Sequence, residues 1–233
     1  MKRVAVIQHF INKNNYTKYL EIGVHKGYSF LSIKCKYKIA VDPFFQINIG
    51  TKLKWLFKIP YNFRNNYFEI TSDHFFQRKG VFLNNFGKID IVFIDGLHTF
   101  EGSLKDALNS LKYLTTNGVI VMHDCYPPNK AAATPSESYN EVKQLKPSGW
   151  NGLWCGDVWK TIVYLRERYS DHLEIFVLNT DFGLGIVKIK VNKKLNLEIN
   201  QELFKKIDNL DFHNLMSDPE SLIGLRDKNY IYK

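Results

Sequence analysis

The segment Tyr19–Gly27 reads YLEIGVHKG and has the pattern of a buried strand that runs into a glycine-bearing turn. Glycine allows the backbone to turn tightly and to approach a ligand closely. The segment does not have the G-x-G-x-x-G spacing of a dinucleotide site, and Glu21 stands where the first glycine of that motif would be. Because a carboxylate repels a pyrophosphate, the turn disfavours NAD and favours a ligand with an ammonium group and no phosphate.

Short apolar runs alternate with longer amphipathic segments on both sides of this turn. The runs predict strands over Tyr19–Val24, Tyr37–Val41, Tyr67–Ile70, Ile89–Ile94, Val119–Met122, Leu173–Asn179 and Leu184–Lys190. Helices are predicted from about Gly27, from Ser72-Asp73, and over Phe100–Leu114 and Asp157–Tyr169. This alternation predicts an α/β fold: a Rossmann-like, doubly wound, seven-stranded sheet, mostly parallel, that ends in an antiparallel C-terminal hairpin.

The composition divides the chain into two parts. Residues 1–190 are expected to form the α/β domain, in which the Pro- and Gly-rich residues 125–155 form a lid or insertion. Residues 191–233 are expected to form a C-terminal helical extension with one helix over Glu198–Ile207. Residues 44–66 are aromatic, basic and poorly patterned, and no element is predicted there.

The bulk properties exclude several classes of protein. The 233 residues carry a net charge of +9 without a dense Lys/Arg block, which favours a solvated basic surface over a nucleic-acid groove. Three cysteines without a C-x-x-C pair argue against a disulfide framework. No apolar stretch approaches the roughly 18 residues of a membrane span, and the N-terminus does not resemble a signal peptide. A cytoplasmic location is therefore expected, and a homo-oligomer is left open.

Each apolar strand ends in polar residues, which in this fold class lie at the ligand-binding edge of the sheet. Asp42 is placed to bind two ribose hydroxyls, and Ser72-Asp73 could hydrogen-bond an adenine edge. Together with the ammonium group that Glu21 favours, a ribose and an adenine describe S-adenosylmethionine.

Four motifs carry a resemblance to a known family: EIGVHKG at 21–27, VDP at 41–43, IDIVFIDGLH at 89–98 and GVIVMHD at 118–124. Their ordered series resembles a class I S-adenosylmethionine-dependent methyltransferase, most closely the small-molecule branch labelled methyltransferase domain 24. The resemblance spans roughly residues 17–125, and the hairpin extends it to about 190. The predicted cofactor-binding set is Glu21, Gly23, Gly27, Asp42, Ser72, Asp73 and Asp95.

A second cluster, Asp95-Gly-Leu-His98 with His123-Asp124, is predicted to carry the catalytic chemistry. Either histidine could remove the proton of an acceptor hydroxyl. The two aspartates could orient the histidines or hold a divalent metal such as Mg²⁺. Catechol-type and macrolide-sugar methyltransferases, which the chain resembles here, supply an Asn or Asp as third ligand directly after the second acid. Because this chain has Cys125 there, the histidine route is favoured.

The expected function is O-methylation of a small hydroxylated acceptor, such as a sugar or nucleotide-sugar in glycan or natural-product synthesis. The sugar follows from the resemblance and from tryptophans at 150, 154 and 159, which could stack on a flat acceptor or pin the lid. A nucleic-acid (RNA or DNA) methyltransferase is the first alternative, but residues 95–98 read DGLH in place of D/N-P-P-Y/F. The second is a non-catalytic nucleotide-binding protein.

Overall fold

In the described residues of the computed structural model, 2–191 and 195–232, eight strands form a single sheet. In chain order they are β1 (Lys18–Ile22), β2 (Tyr37–Val41), β3 (Asn65–Phe68), β4 (Ile89–Ile94), β5 (Leu114–Met122), β6 (Leu173–Leu178), β7 (Leu184–Ile189) and β8 (Leu225–Arg226). Residues 192–194 of the predicted C-terminal extension lie outside the described part of the chain.

The spatial order of the sheet is β3-β2-β1-β4-β5-β7-β6-β8. Strands β1 to β5 pair in parallel, and β7 runs antiparallel to both β5 and β6. The predicted fold class is therefore confirmed, including the antiparallel hairpin. The predicted count of seven strands is wrong, because β8 adds to the free edge of β6. With two residues, β8 is too short to show any periodicity in the sequence.

Helices cover both faces of this sheet. They are α1 (Arg3–Asn14), α2 (Tyr28–Ser32), α3 (Ile49–Lys58), α4 (Ser72–Arg78), α5 (Gly80–Phe86), α6 (Phe100–Tyr113), α7 (Tyr139–Leu145), α8 (Trp159–Tyr169), α9 (Gln201–Asp208), α10 (Phe212–Ser217) and α11 (Pro219–Ile223), with 3₁₀ turns at Pro60–Arg64 and Tyr230–Tyr232. Helices α1 and α2 pack on one face, and α4 to α6 and α8 to α11 pack on the other. No helix among the described residues is long and apolar enough to cross a membrane.

Helices α1, α3 and α7 were not predicted from the sequence. In α1 the buried side chains are Val6, Ile7, Phe10 and Ile11, which follow helical spacing. This pattern is hidden in the sequence because residues 4–7 read as one short apolar run. Helix α7 lies inside the predicted lid, and its N-cap Ser138 accepts a hydrogen bond from the backbone N–H of Glu141.

The register of the parallel strands brings their carboxyl ends to one edge of the sheet. Ile94 of β4 is paired with Ile22 of β1 on one side and with Met122 of β5 on the other. The residues that follow these three are Gly23, Asp95 and His123. Strands β4 and β5 are thus neighbours, which places the polar ends of both strands together.

The C-terminal residues contribute side chains to the main hydrophobic core. Ile207 of α9, Leu215 of α10 and Ile223 of α11 are fully buried in the same cluster as α6 and α8. The predicted domain boundary at 190/191 remains a prediction, but the described residues beyond it share the core of the α/β domain.

We expect Leu215→Ala to lower the free energy of unfolding by about 2–5 kcal/mol, the usual range for truncating a buried leucine. The adjacent Met216 is 44% exposed, so Met216→Ala is the matched control and should change stability by no more than about 0.5 kcal/mol. Denaturant unfolding of both variants measures the difference. Equal, small effects would show that the C-terminal helices do not stabilise the core.

Candidate active site

A cavity of about 970 Å³ lies at the carboxyl ends of the parallel strands. Five of the predicted site residues at the ends of β1, β2, β4 and β5 line it, namely Gly23, Asp42, Asp95, His123 and Asp124. Ser72 and Asp73 line it from the start of α4, and His98 lines it from the loop before α6. The fold therefore brings these eight predicted residues to one continuous cavity, and their individual roles remain predictions.

Gly23 permits β1 and β4 to approach each other at this edge. Its φ is +83°, a left-handed conformation that residues with a side chain rarely adopt. A Cβ atom at this position would lie 1.9 Å from the backbone carbonyl oxygen of Asp95. The requirement for glycine is therefore both conformational and steric.

The carboxylate of Asp42 is held by backbone amides at the cavity wall. Its Oδ2 accepts a hydrogen bond from the N–H of His25 at 2.8 Å, and its Oδ1 accepts one from the N–H of Phe44 at 2.8 Å. Each carboxylate oxygen can accept further hydrogen bonds. The geometry suits the predicted role of binding two adjacent hydroxyls.

Two predicted cofactor residues, Glu21 and Gly27, do not line the cavity. Glu21 is fully buried and accepts hydrogen bonds from the hydroxyls of Tyr19 and Ser29. Burial raises the pKa of Glu21 to about 7, although both hydrogen bonds oppose the shift. Gly27, with a φ of +72°, faces Ile47. A direct contact of either residue with a cofactor remains a prediction, and in this structure Glu21 braces the turn from beneath.

Asp106, which lies close to Ser72 and Asp73, is a cavity residue that sequence reasoning missed. It is buried on α6, lines the cavity, and its Oδ1 has no hydrogen-bond partner. Burial raises its pKa to about 7, a hydrogen bond from Ser72 opposes the shift, and the charge of Asp73 adds to it. The available signal was an acid among the buried positions of a predicted amphipathic helix. Thr71 is the N-cap of α4.

A compact group of titratable side chains forms the wall between β4, β5 and α1. We call it the ion cluster, and its members are Arg3, Asp95, His98, His123, Asp124 and Asp181. The distances from Nε2 of His98 to Oδ1 of Asp95 and Oδ2 of Asp124 are 3.5 and 3.3 Å. Nδ1 of His123 lies 3.3 and 2.9 Å from the same two oxygens. Neither nitrogen of His123 is aligned for a hydrogen bond, so its attraction to the carboxylates is electrostatic.

Arg3 and Asp181 complete the ion cluster from distant parts of the sequence. The guanidinium of Arg3 donates hydrogen bonds to Asp95 and to Asp181, the latter from Nε at 3.0 Å. The backbone N–H of Arg3, at the start of α1, donates to the same oxygen of Asp181 at 2.8 Å. Neither residue was predicted, because α1 and the β6–β7 turn reach the site only through the tertiary fold.

The cluster strongly perturbs the protonation of its members. Burial opposes the charged forms, but Asp95 and Asp124 outweigh it and raise the pKa of both His98 and His123, the latter well above its ordinary value. Conversely, the two histidines and Arg3 outweigh the burial of Asp95 and hold the pKa of that carboxyl well below its usual range. The cluster is therefore an assembly of paired charges.

Asp124 is held in an unusual backbone conformation at the end of β5. Its φ is +61°, which is uncommon for a residue with a side chain and is typical of functional sites. The next two residues hydrogen-bond to the β6–β7 turn, from the N–H of Cys125 to the carbonyl of Gly183 and from the N–H of Tyr126 to that of Phe182. Cys125 is buried outside the cavity lining, so it offers no ligand there.

The predicted lid, residues 125–155, lines the cavity through two separate segments. Glu137, Ser138 and Tyr139 line it near the start of α7, and Gly152 to Cys155 line it before α8. Nδ1–H of His98 donates to the carbonyl of Trp154 at 3.0 Å, and the two rings lie 5.1 Å apart. Of the three tryptophans considered, only Trp154 lines the cavity, since Trp159 is buried in the core and Trp150 packs on Tyr139.

Three side chains of the cluster could hold a metal ion. One ligand atom from each of Asp95, His98 and Asp124 lies within 4.8 Å of the others. His98 could thus supply the third ligand, which the resembling methyltransferases provide directly after the second acid and which Cys125 does not provide here. Two carboxylates and an imidazole fit Mn²⁺ or Zn²⁺ better than Mg²⁺, which prefers oxygen ligands. Arg3 competes for the same site, because it already neutralises one oxygen of Asp95.

Comparisons with known proteins agree with this geometry. The family model described as "Methyltransferase domain" (methyltransferase domain 24) matches residues 20–125, which contain the strand ends of the cavity as far as Asp124. No curated protein matches the chain. The resemblance to this family that the sequence indicated is therefore confirmed over residues 20–125.

Solved structures share the fold at low sequence identity. The methyltransferase PaMTH1 of Podospora anserina, bound to S-adenosylhomocysteine, has a TM-score of 0.53 at 17% identity and covers 81% of this chain and 78% of its own. The O-methyltransferase of Bacillus cereus, also in complex with S-adenosylhomocysteine, has a TM-score of 0.51 at 13% identity, with coverages of 81% and 80%. TomG of Streptomyces achromogenes, in complex with S-adenosylmethionine, has a TM-score of 0.52 at 10% identity, with coverages of 81% and 80%.

We expect His123→Gln to destabilise the protein more at pH 6 than at pH 9. The pKa of His123 is raised on folding, so its stabilising charge pairing is complete below the unfolded pKa of about 6.5 and is lost as the pH rises through the folded pKa. Denaturant unfolding of wild type and variant at both pH values, with EDTA present, measures the difference. If the variant lost the same free energy of unfolding at both pH values, His123 would contribute packing and not charge.

Proposed function

We propose that the chain transfers the methyl group of S-adenosylmethionine to a hydroxyl of a small acceptor. The observation that carries the proposal is a single cavity with two chemically distinct ends. Asp42, Ser72, Asp73 and Asp106 suit the nucleoside of the methyl donor at one end, and the ion cluster faces the cavity at the other.

The donor end accounts for recognition of a nucleoside without a phosphate. Asp42 is positioned to accept two ribose hydroxyls, and the unpartnered Oδ1 of Asp106 is available to an adenine edge. Because Gly23 has no side chain, the backbone beside Asp95 would be able to approach the amino-acid part of the donor closely. Acids line this part of the cavity, so a pyrophosphate would be repelled.

At the acceptor end we assign proton removal to His98. Its side chain is 22% exposed and that of His123 is 5%, so His98 is the histidine that an acceptor can reach. Its Nδ1–H donates to the carbonyl of Trp154, which leaves Nε2 to take the proton. In the transfer the acceptor oxygen bonds to the methyl carbon, the carbon–sulfur bond breaks, and the hydroxyl proton passes to Nε2. His123 positions the two carboxylates.

A divalent cation is the alternative route to an activated hydroxyl. Asp95, His98 and Asp124 would hold it, and it would lower the pKa of the bound acceptor. In that case His98 is a ligand and cannot also be the base. We favour the histidine route, because Arg3 already pairs with Asp95 and the raised pKa of His98 makes protons strong competitors of a cation.

A sugar or nucleotide-sugar is the acceptor class that we propose. The indole of Trp154 offers a flat surface next to His98, and Glu137, Ser138 and Tyr139 add groups that can hydrogen-bond to hydroxyls. The structurally similar TomG is involved in tomaymycin synthesis, which supports a small-molecule acceptor. Methylation of RNA or DNA remains the alternative from sequence reasoning, with no contact in the cavity that favours it.

We expect Asp42→Ala to weaken binding of S-adenosylmethionine at least tenfold, because two hydroxyls lose a charged acceptor. In a thermal-shift assay, the methyl donor at 100 times the wild-type dissociation constant should stabilise the wild type by about 2.7 kcal/mol. The same donor concentration should stabilise the variant much less. Asp171→Ala, an exposed acid outside the cavity, is the matched control. Stabilisation by NAD but not by the methyl donor or S-adenosylhomocysteine would refute the assignment of the donor end.

The histidine and metal routes predict different responses to EDTA. On the histidine route EDTA is harmless, and His98→Gln lowers the rate roughly 10²- to 10⁴-fold, the usual range for a general base. The rate of the wild type should also rise with pH and level off above the ordinary imidazole pKa of about 6.5, because the pKa of His98 is raised. On the metal route EDTA abolishes turnover and a divalent cation restores it.

Release of S-adenosylhomocysteine measures these rates against a panel of nucleotide-sugars, free sugars, catechols, RNA and DNA. Turnover with sugars supports the acceptor class, turnover with catechols redirects it, and turnover with nucleic acid alone would refute it. Full activity of His98→Gln, with or without EDTA, would show that the proton is removed elsewhere.

A further inference from the structure

The surface of α3 and the following 3₁₀ turn exposes an unusual row of large apolar side chains. Ile49, Leu53 and Phe57 are exposed at intervals of four residues and therefore share one side of the helix. Phe57 is 85% exposed, and Phe63 of the 3₁₀ turn is 82% exposed. Single exposed apolar residues are ordinary, but a row on one element marks an interaction surface.

The same segment is strongly basic. Residues 44–64 contain Lys52, Lys54, Lys58 and Arg64 and no acidic residue, so they carry +4 of the net charge of +9. Lys54, Lys58 and Arg64 are exposed beside the apolar row. We call this surface the basic apolar face, and its members are Ile49, Leu53, Lys54, Phe57, Lys58, Phe63 and Arg64.

The basic apolar face is mounted rigidly on the domain. Asn48 caps α3 by accepting a hydrogen bond from the N–H of Thr51 at 2.7 Å. The buried Asn62 donates from Nδ2 to the carbonyls of Trp55 and Leu31, each at 3.0 Å, and its Oδ1 accepts from Nζ of Lys38. These contacts fix the inner side of the segment to α2 and β2. The exposed row is therefore presented to solvent by a well-anchored element.

We propose that the basic apolar face docks the enzyme on an anionic lipid surface. A helix with aliphatic and aromatic residues on one side and lysines around them lies in the plane of a membrane interface, with its apolar side chains among the acyl chains. Basic side chains close to that surface are attracted by anionic lipid headgroups, and each adds to the binding. This mode of attachment requires no membrane-spanning segment.

The charge pattern disfavours a second copy of the chain as the occupant. A twofold-symmetric contact would place this face against itself and would bring two sets of lysines together without an acid to pair them. A nucleic acid would satisfy the charge but would leave Ile49 and Leu53 without a function, since bases stack on aromatic rings. An anionic lipid surface is the occupant that uses both properties.

The segment that carries the basic apolar face directly follows a residue of the cavity wall in the chain. Pro43 lines the cavity, and the exposed Phe44 follows it directly. Ile47 of the same segment packs against Gly27 in the turn after β1. Docking would therefore hold the cavity in a defined orientation to the surface, while the binding and chemical groups inside it remain separate from the docking side chains.

Flotation of the full-length protein with vesicles tests the proposal. We expect binding to phosphatidylcholine vesicles that contain 30% phosphatidylglycerol, and little binding to pure phosphatidylcholine. Phe57→Ser should weaken binding about tenfold or more, because it removes a large apolar side chain from the acyl region. Val81, 77% exposed on α5, provides the matched control, and Val81→Ser should bind like the wild type.

A double variant separates charge from apolar insertion. Lys54→Gln with Lys58→Gln should weaken binding roughly 10- to 30-fold, and added salt should reproduce the loss. Lys205→Gln with Lys228→Gln, two exposed lysines elsewhere, is the control with equal net charge. Stabilisation by S-adenosylmethionine should be unchanged in all variants, which confirms that they fold.

Three results would overturn the proposal. One is failure of the wild type to float with anionic vesicles, or equal binding to neutral ones. Another is a dimer in light scattering that Phe57→Ser converts to a monomer, which would assign the face to self-association. The third is a salt-dependent gel shift with RNA that is lost in the lysine variant while lipid binding is unchanged.

Discussion

The register between β1, β4 and β5 is the constraint on which the site depends. The backbone N–H of Asp95 donates to the carbonyl of Ile22, and that of His123 donates to the carbonyl of Ile94, each at 2.9 Å. A slip of one residue would point the side chains of a strand to the other face of the sheet. The close approach of Gly23 to Asp95 reinforces this register, since only a residue without Cβ fits between the strands. Gly23, Asp95 and His123 are thus held together at one edge of the sheet by the same hydrogen bonds.

Within that frame, charge balance governs the ion cluster, which we propose to face the methyl acceptor. Three carboxylates of the ion cluster face one arginine, which leaves two negative charges to be neutralised. Two protons, on His98 and His123, are sufficient, and one divalent cation is equally sufficient. Protons and a cation therefore compete for the same position. The negative charge of the carboxylates raises the pKa values of both histidines, and the same charge would attract a metal ion.

The sequence was most informative where each strand has local, periodic signals. The bounds of β4 were predicted without error, and the polar residues after β2, β4 and β5 indeed converge. Arg3 could not be predicted as part of the site, because a contact across 92 residues leaves no local pattern. Asp106 was hidden in a helix whose apolar spacing was correct. The predicted ligand role of Glu21 rested on its place in the motif, whereas burial beneath the turn depends on the packing of Tyr19 and Ser29.

Helix α3 was missed for a different physical reason, which bears on what the segment does. The row Ile49, Leu53 and Phe57 has helical spacing, but the apolar residues at 55 and 56 interrupt it, so the segment does not show one clear stripe. In α3 this row faces outward, and the inner side is held by packing of the partly buried Trp55 and by hydrogen bonds of Asn62. An apolar row that faces outward is unfavourable in water, but it is favourable where the outer side of the helix contacts an apolar environment. The anionic lipid interface that we propose would supply both that apolar environment and the charges that attract the surrounding lysines.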